Sequence, residues 1–372
     1  MQEVTCSSMR LGEYKVTRIG SKLPVRSARW IDVTVSACVV AILVATGSAL
    51  GLTPELRGAA PGVAVHHILP SLQVAQGPPP DPSAQGMLTT GLLYDGHNVW
   101  AADTRSDSVE ELSSRDGRIL GAFHVGSGPV GLAFDGTNIW VTNRDDDSVT
   151  KLDAGDATVM GTYPVGNAPI AAVSDGKNVW VVNRDDDSVT KLRGSDGKVL
   201  GSYGVGGGPV AAVFDGTNIW VVNRGSDSVT ELRTSDGTVI NSYPVGSSPV
   251  AAVFDGENLW IANSESNSLT KMRPSDGAVL ATVELDSGPQ AIVSDGTNLW
   301  VHLKRHAIVK LNPRDGTIMG NFPAGGMPTS VALDGQELWT VSYGDGYLIR
   351  LDARDGKMLG VSGLRMPPAP AR

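Results

Sequence analysis

Histidine, lysine and arginine fall together at His302, Lys304, Arg305 and His306, and two tyrosines follow at Tyr343 and Tyr347 with Asp345 between them. Clustered positive charge concentrates anions, and aromatic rings supply an apolar face with a polar edge. These seven residues are therefore candidates for holding an anionic or carbohydrate-like ligand, or a protein surface. Two acidic triplets, Asp145-Asp146-Asp147 and Asp185-Asp186-Asp187, offer another chemistry. Calcium takes about six to eight oxygens, often from carboxylates, and Asp145, Asp147, Asp185 and Asp187 are the residues that could give them. The D-x-D-x-D-G spacing of a calcium loop is missing, and consecutive aspartates in one tight turn cannot all face one ion. Solvated carboxylates beside Arg144 and Arg184 are the expected state, with no resident metal. No G-x-S-x-G, H-E-x-x-H or Walker loop occurs, so no catalytic set is assigned and no cofactor is expected.

These residues sit in the turns of a repeat. Tryptophans occur at 100, 140, 180, 220, 260, 300 and 339, and around each the sequence recurs. Within one 40-residue unit, such as 208–247, four short runs of apolar or alternating residues are separated by turn residues. Asp215-Gly216 and Asp236-Gly237 mark two of the turns, since Asp-Gly supplies the positive-φ residue that tight hairpins need. A period of two excludes helical repeats. Four strands per 40 residues, seven times over, predict an all-β chain: a seven-bladed β-propeller of four-stranded antiparallel blades. The innermost strand carries a small residue at one fixed place, Gly91, Gly131, Ala171, Ala211, Ala251, Ala291 and Ser330, as strands converging on an axis require. The tryptophans are expected to pack between blades. The first and last units each hold four strands of their own, so the ring is expected to close by docking complete blades as a monomer.

Charge is divided unevenly. Residues 1–30 carry six basic side chains against Glu3 and Glu13, a net of +4; with −9 for the whole chain, the other 342 residues carry −13. An acidic body argues against nucleic acid as a partner, because phosphate contacts need clustered cations. Residues 35–52 hold no charge and are long enough to cross a bilayer as a helix. Basic residues before them and an acidic body after them predict an extracytoplasmic ring, anchored through 35–52 or secreted after cleavage near Ala49. Seven prolines in 53–86 read as an extended spacer. The expected organisation is a basic lead at 1–34, a signal-anchor or signal-peptide helix at 35–52, a proline-rich linker at 53–86, the propeller at 87–366 and a proline-rich tail at 367–372.

The unit GPVAAVFDGTNIWVVNRGSDSVTELRTSDGTVINSYPVG, residues 208–247, resembles the YVTN-type 40-residue repeat family of YncE-like propellers and is similar to the virginiamycin B lyase group. No tryptophan is followed by Asp, unlike WD40 repeats. The resemblance implies a seven-bladed ring, often exported. The lyase group further implies histidines and a glutamate holding a divalent metal over the channel. Here His97 falls in the turn between the first and second strands and His124 on an outer strand, so only His302 and His306 are placed together on that end face, and no glutamate recurs beside them at the family's spacing. The preferred function is a binding or interaction module at the cell envelope, for a surface ligand or an envelope protein. A metal-assisted lyase or lactonase is the alternative, and a purely structural envelope protein a third.

Overall fold

Short apolar runs punctuated by Asp-Gly turns fold into seven antiparallel sheets of four strands, each hydrogen-bonded in chain order. The computed structural model describes residues 6–10, 13–16, 89–305, 307–323, 328–342 and 347–363. The blades span 89–124, 129–164, 169–204, 209–244, 249–284, 289–323 and 328–363. In blade 4 the inner, second, third and outer strands are Pro209–Phe214, Asn218–Asn223, Ser228–Arg233 and Val239–Pro244. The glycine of each inner Asp-Gly turn takes the left-handed conformation, as at Gly216 with φ 93°.

The chain divides into two units, Met1–Gly77 and Pro78–Arg372. In the first, the described residues form one antiparallel hairpin, Cys6–Arg10 with Glu13–Val16. The expected helix at 35–52, the linker at 53–86 and the tail at 367–372 lie outside the described residues. Among the described residues no helix is long and apolar enough to cross a membrane.

The core lies between blades. Trp180 packs on Ile219, Val221 and Leu232 of the following blade, and all seven ring tryptophans are buried. Each such side chain removes roughly 150–250 Å² from water. Lys191 lies over the Trp180 ring at 4.7 Å and donates to the Thr234 carbonyl of the next blade at 2.6 Å. Lys151, Lys271 and Lys310 repeat this pairing of tryptophan face and neighbouring carbonyl. At the axis the inner strands approach until a Cβ on Gly91 would sit 2.4 Å from the Val130 carbonyl oxygen, which explains the small residues there.

Closure uses complete blades. The Leu92 amide donates to Ser330 Oγ at 3.1 Å, and Val99, Ala101 and Leu112 of blade 1 share a cluster with Trp339, Val341 and Leu348 of blade 7. In every blade the outer strand is bulged against the third, as between Lys191 and Leu192. A bulge twists an open edge away from further pairing.

Candidate functional site

The aspartate of each inner Asp-Gly turn does more than turn the chain. Asp175 Oδ2 accepts from Trp180 Nε1 at 2.9 Å, and its Oδ1 accepts from the Lys177 and Asn178 amides. The same bond to tryptophan recurs from Asp95, Asp135, Asp215, Asp255, Asp295 and Asp334. Burial opposes ionisation of Asp175, yet the donors around it outweigh burial and hold the carboxyl below its ordinary value. The signal was available as the fixed D-G-x-x-x-W spacing. These carboxylates belong to the scaffold.

The opposite end, where inner strands begin, carries the second-to-third-strand turns and the connections between blades. The four turn residues of blade 3 are Arg184, Asp185, Asp186 and Asp187. Asp187 is left-handed at φ 49°, and its Oδ1 accepts from the Gly208 amide of the connection to blade 4 at 2.7 Å. Asp147 does the same, at φ 50°, for Ala168. Asp186 accepts from the Asn167 amide and side chain, and Asp146 from the Ser127 amide. Asp145 and Asp185 pair with Arg144 and Arg184, each at 2.8 Å. The hydrogen bond from Arg144 holds the Asp145 carboxyl below its ordinary value. Each triplet thus points three ways. Among the described residues, no three His, Cys, Asp or Glu side chains converge as a metal site would need.

The basic group of blade 6 is split. Lys304 and Arg305 are exposed in the turn, as the sequence suggests. His302 is not on the rim: it lies in the second strand, Leu299–Leu303, 1% exposed, with Nδ1 3.3 Å from Thr340 Oγ1 of blade 7. The repeat explains this, because His302 stands two residues after Trp300, where blade 3 has the core residue Val182. Tyr347 opens the third strand of blade 7 and is half-buried. His306, Tyr343 and Asp345 lie outside the described residues.

A depression of about 730 Å³ opens at this same end over blades 2 to 5. Val130, Ile170 and Val210, one from each inner strand of blades 2 to 4, give it an apolar wall. Arg144, Arg184 and Arg224, the first turn residues of the same blades, give it a basic rim. Asp227 and Glu265 also line it. In blade 4 the residue after the arginine is Gly225, and Arg224 Nε donates instead to Ser248 Oγ at 2.8 Å. The volume falls within the range of small-molecule sites. Reading the turns for acidic or histidine chemistry passed over this arginine row, although the repeated Asn-Arg dipeptide at 143, 183 and 223 was its signal.

A second unusual group lies at the closing seam. In blades 2 to 5 a buried asparagine donates to a buried threonine, as Asn183 to Thr190 at 2.8 Å. Blade 1 has Asp103 and Glu110 at those places. Glu110 is 1% exposed, its Oε2 has no hydrogen-bond partner among the described residues, and burial, with the Asp103 charge adding to it, pushes its carboxyl up to about 7.

Fold and end-face geometry define a seven-bladed propeller with a ligand-sized, arginine-rimmed channel mouth. The chain belongs to the family described as outer membrane protein assembly factor BamB, whose model matches residues 93–319. No curated protein matches it. Among solved structures it is similar to hydrazine synthase of Kuenenia stuttgartiensis, at 19% identity and TM-score 0.65, over 75% of this chain and 98% of that one. A functionally unknown protein from Desulfotomaculum acetoxidans DSM 771 gives 16% identity and TM-score 0.65, over 72% and 96%. A streptogramin B lyase gives 19% and 0.61, over 70% and 93%. At these identities the likeness shows the fold.

Proposed function

We propose that the chain is an exported propeller, held to a membrane through residues 35–52 or released by cleavage near Ala49, that acts as a binding or interaction module at the cell envelope. Its repeat is read as a YVTN-type variant within the broader family. The observation that carries the binding role is the channel-mouth end itself. There the turns depart from sevenfold repetition while the strands beneath them keep it, and a rigid scaffold with divergent loops is how binding surfaces are built. The family model, described by an outer-membrane assembly factor, supports an envelope setting. Lys304 and Arg305 are exposed cations in the turn of blade 6 that would meet an acidic ligand or partner, with His306 next to them in sequence and Tyr343, Asp345 and Tyr347 one repeat further on.

Treating intact cells with external protease tests the setting. The ring should be cleaved or shed, and a ring protected until lysis in the cytosolic fraction overturns the reading. The metal-assisted lyase alternative would need His302 at the mouth, whereas this histidine is buried against Thr340.

A further inference from the structure

We infer that the channel mouth over blades 2 to 4 binds a single carboxylate carried on an apolar body, with Arg224 as the anchor of the carboxylate. This inference rests on reading the ring as a binding module and gives that module a ligand class.

The repeat supplies its own control. Arg144, Arg184 and Arg224 occupy one position in three successive blades and rim one depression of about 730 Å³. In blades 2 and 3 the next residue is an aspartate that pairs with its arginine at 2.8 Å. In blade 4 that residue is Gly225, and among the described residues no carboxylate lies within ion-pair distance of Arg224. The missing acid also changes the space. In blade 2 a Cβ on Gly128 would sit 2.4 Å from Asp145 Oδ2, so the carboxylate covers the connection there. In blade 4 the corresponding Gly208 faces only the Gly225 backbone, at 3.2 Å or more. An incoming carboxylate can thus give Arg224 what Asp145 gives Arg144.

The surroundings fix the rest of the ligand. Val130, Ile170 and Val210 offer an apolar wall beside the arginine row, so an alkyl or similar body gains by leaving water. Asp227 and Glu265 line the same depression. Asp227 is committed to the Ser248 amide at 2.7 Å. Glu265, exposed at the edge of the depression, adds a negative charge that penalises phosphate and polycarboxylates relative to one monoanion. Charge-assisted bonds to a guanidinium are about twice as strong as neutral ones.

The test is calorimetric titration of the full-length protein with hexanoate, hexan-1-ol and inorganic phosphate. Hexanoate should bind at least about fivefold more tightly than either, a difference of about 1 kcal/mol. Arg224→Gln should weaken hexanoate binding about tenfold, and Gly225→Asp should abolish it by restoring the internal pair. A Cβ on Gly225 would sit 2.8 Å from the Gly207 carbonyl oxygen, so Gly225→Asp requires that carbonyl to withdraw. The longer amide–carbonyl distances of 3.1 and 3.3 Å at Ser127 and Asn167 show this beside the aspartates of blades 2 and 3, and thermal unfolding checks that the ring still folds. Arg224→Gln serves if that change disturbs folding. Absence of hexanoate binding, equal binding of phosphate or hexanol, or binding untouched by Arg224→Gln overturns the inference. Any of these leaves the envelope module standing if external protease reaches the ring. A cytosolic ring that still binds hexanoate overturns only the module.

Discussion

Single residues in this ring carry opposite electrostatic histories. Glu110 sits where blades 2 to 5 place threonine, and burial pushes its carboxyl up to about 7 from 4.5. Between those values the unfolded chain has released the proton while the folded chain still holds it. Stability from this group is therefore full below pH 4.5 and falls as pH rises to about 7, by roughly 3 kcal/mol. The double change Asp103→Asn, Glu110→Thr rebuilds the asparagine–threonine pair. It should flatten that slope and raise stability at pH 8, read from urea midpoints across pH. Asp175 behaves in the contrary sense. Its lowered carboxyl contributes stability above the unfolded value near 3.8, and this is lost as pH falls through the folded one. Asp175→Ala leaves Trp180 Nε1 and two amides without their acceptor and should cost about 2–4 kcal/mol at pH 7, measurable by chemical denaturation.

Blades were legible because each strand obeys a period of two and each turn its own chemistry. In the unit 208–247 the four runs become strands of six residues each, the third ending at Arg233 and the outer one spanning Val239–Pro244. The mouth was less legible. Asp147 and Asp187 look like surface acids in the sequence, yet their left-handed backbone aims them at the next connection, a direction no local pattern records. His302 looks like a turn residue because the turn of blade 6 is one residue shorter than that of blade 3, yet it stands two residues after Trp300, where the repeat places a core side chain. Cooperation between strands of adjacent blades is also testable. Trp180→Ala should cost roughly 3–5 kcal/mol. Lys191→Ala removes both the tryptophan contact and the bond to the Thr234 carbonyl, and should cost about 1–3 kcal/mol. The two losses should sum to more than the double variant loses, because both act through the Trp180 face, and thermal unfolding of the three variants checks this.

At the scale of the whole ring, closure depends on side chains packed between blades 1 and 7, with no strand shared across the seam among the described residues. Ending the chain after residue 327 would expose Val99, Ala101 and Leu112 to water. That truncated chain should aggregate and lose its single cooperative transition, seen by size-exclusion chromatography and calorimetry, whereas ending it after 366 should change nothing.

The order of strands within a blade gives the two ends of the ring unequal mechanical fates. The inner strand of blade 1, Thr89–Tyr94, is wedged at the axis between Val130 of blade 2 and Ser330 of blade 7, whereas the outer strand of blade 7, Met358–Gly363, has one hydrogen-bonded neighbour among the described residues. Tension applied from the N-terminal side meets a strand held on several sides, while the C-terminal strand can be unzipped one bond at a time. Pulled from its first strand the ring would carry load where its packing is tightest, whereas pulled from the outer strand of blade 7 it would yield at that strand first.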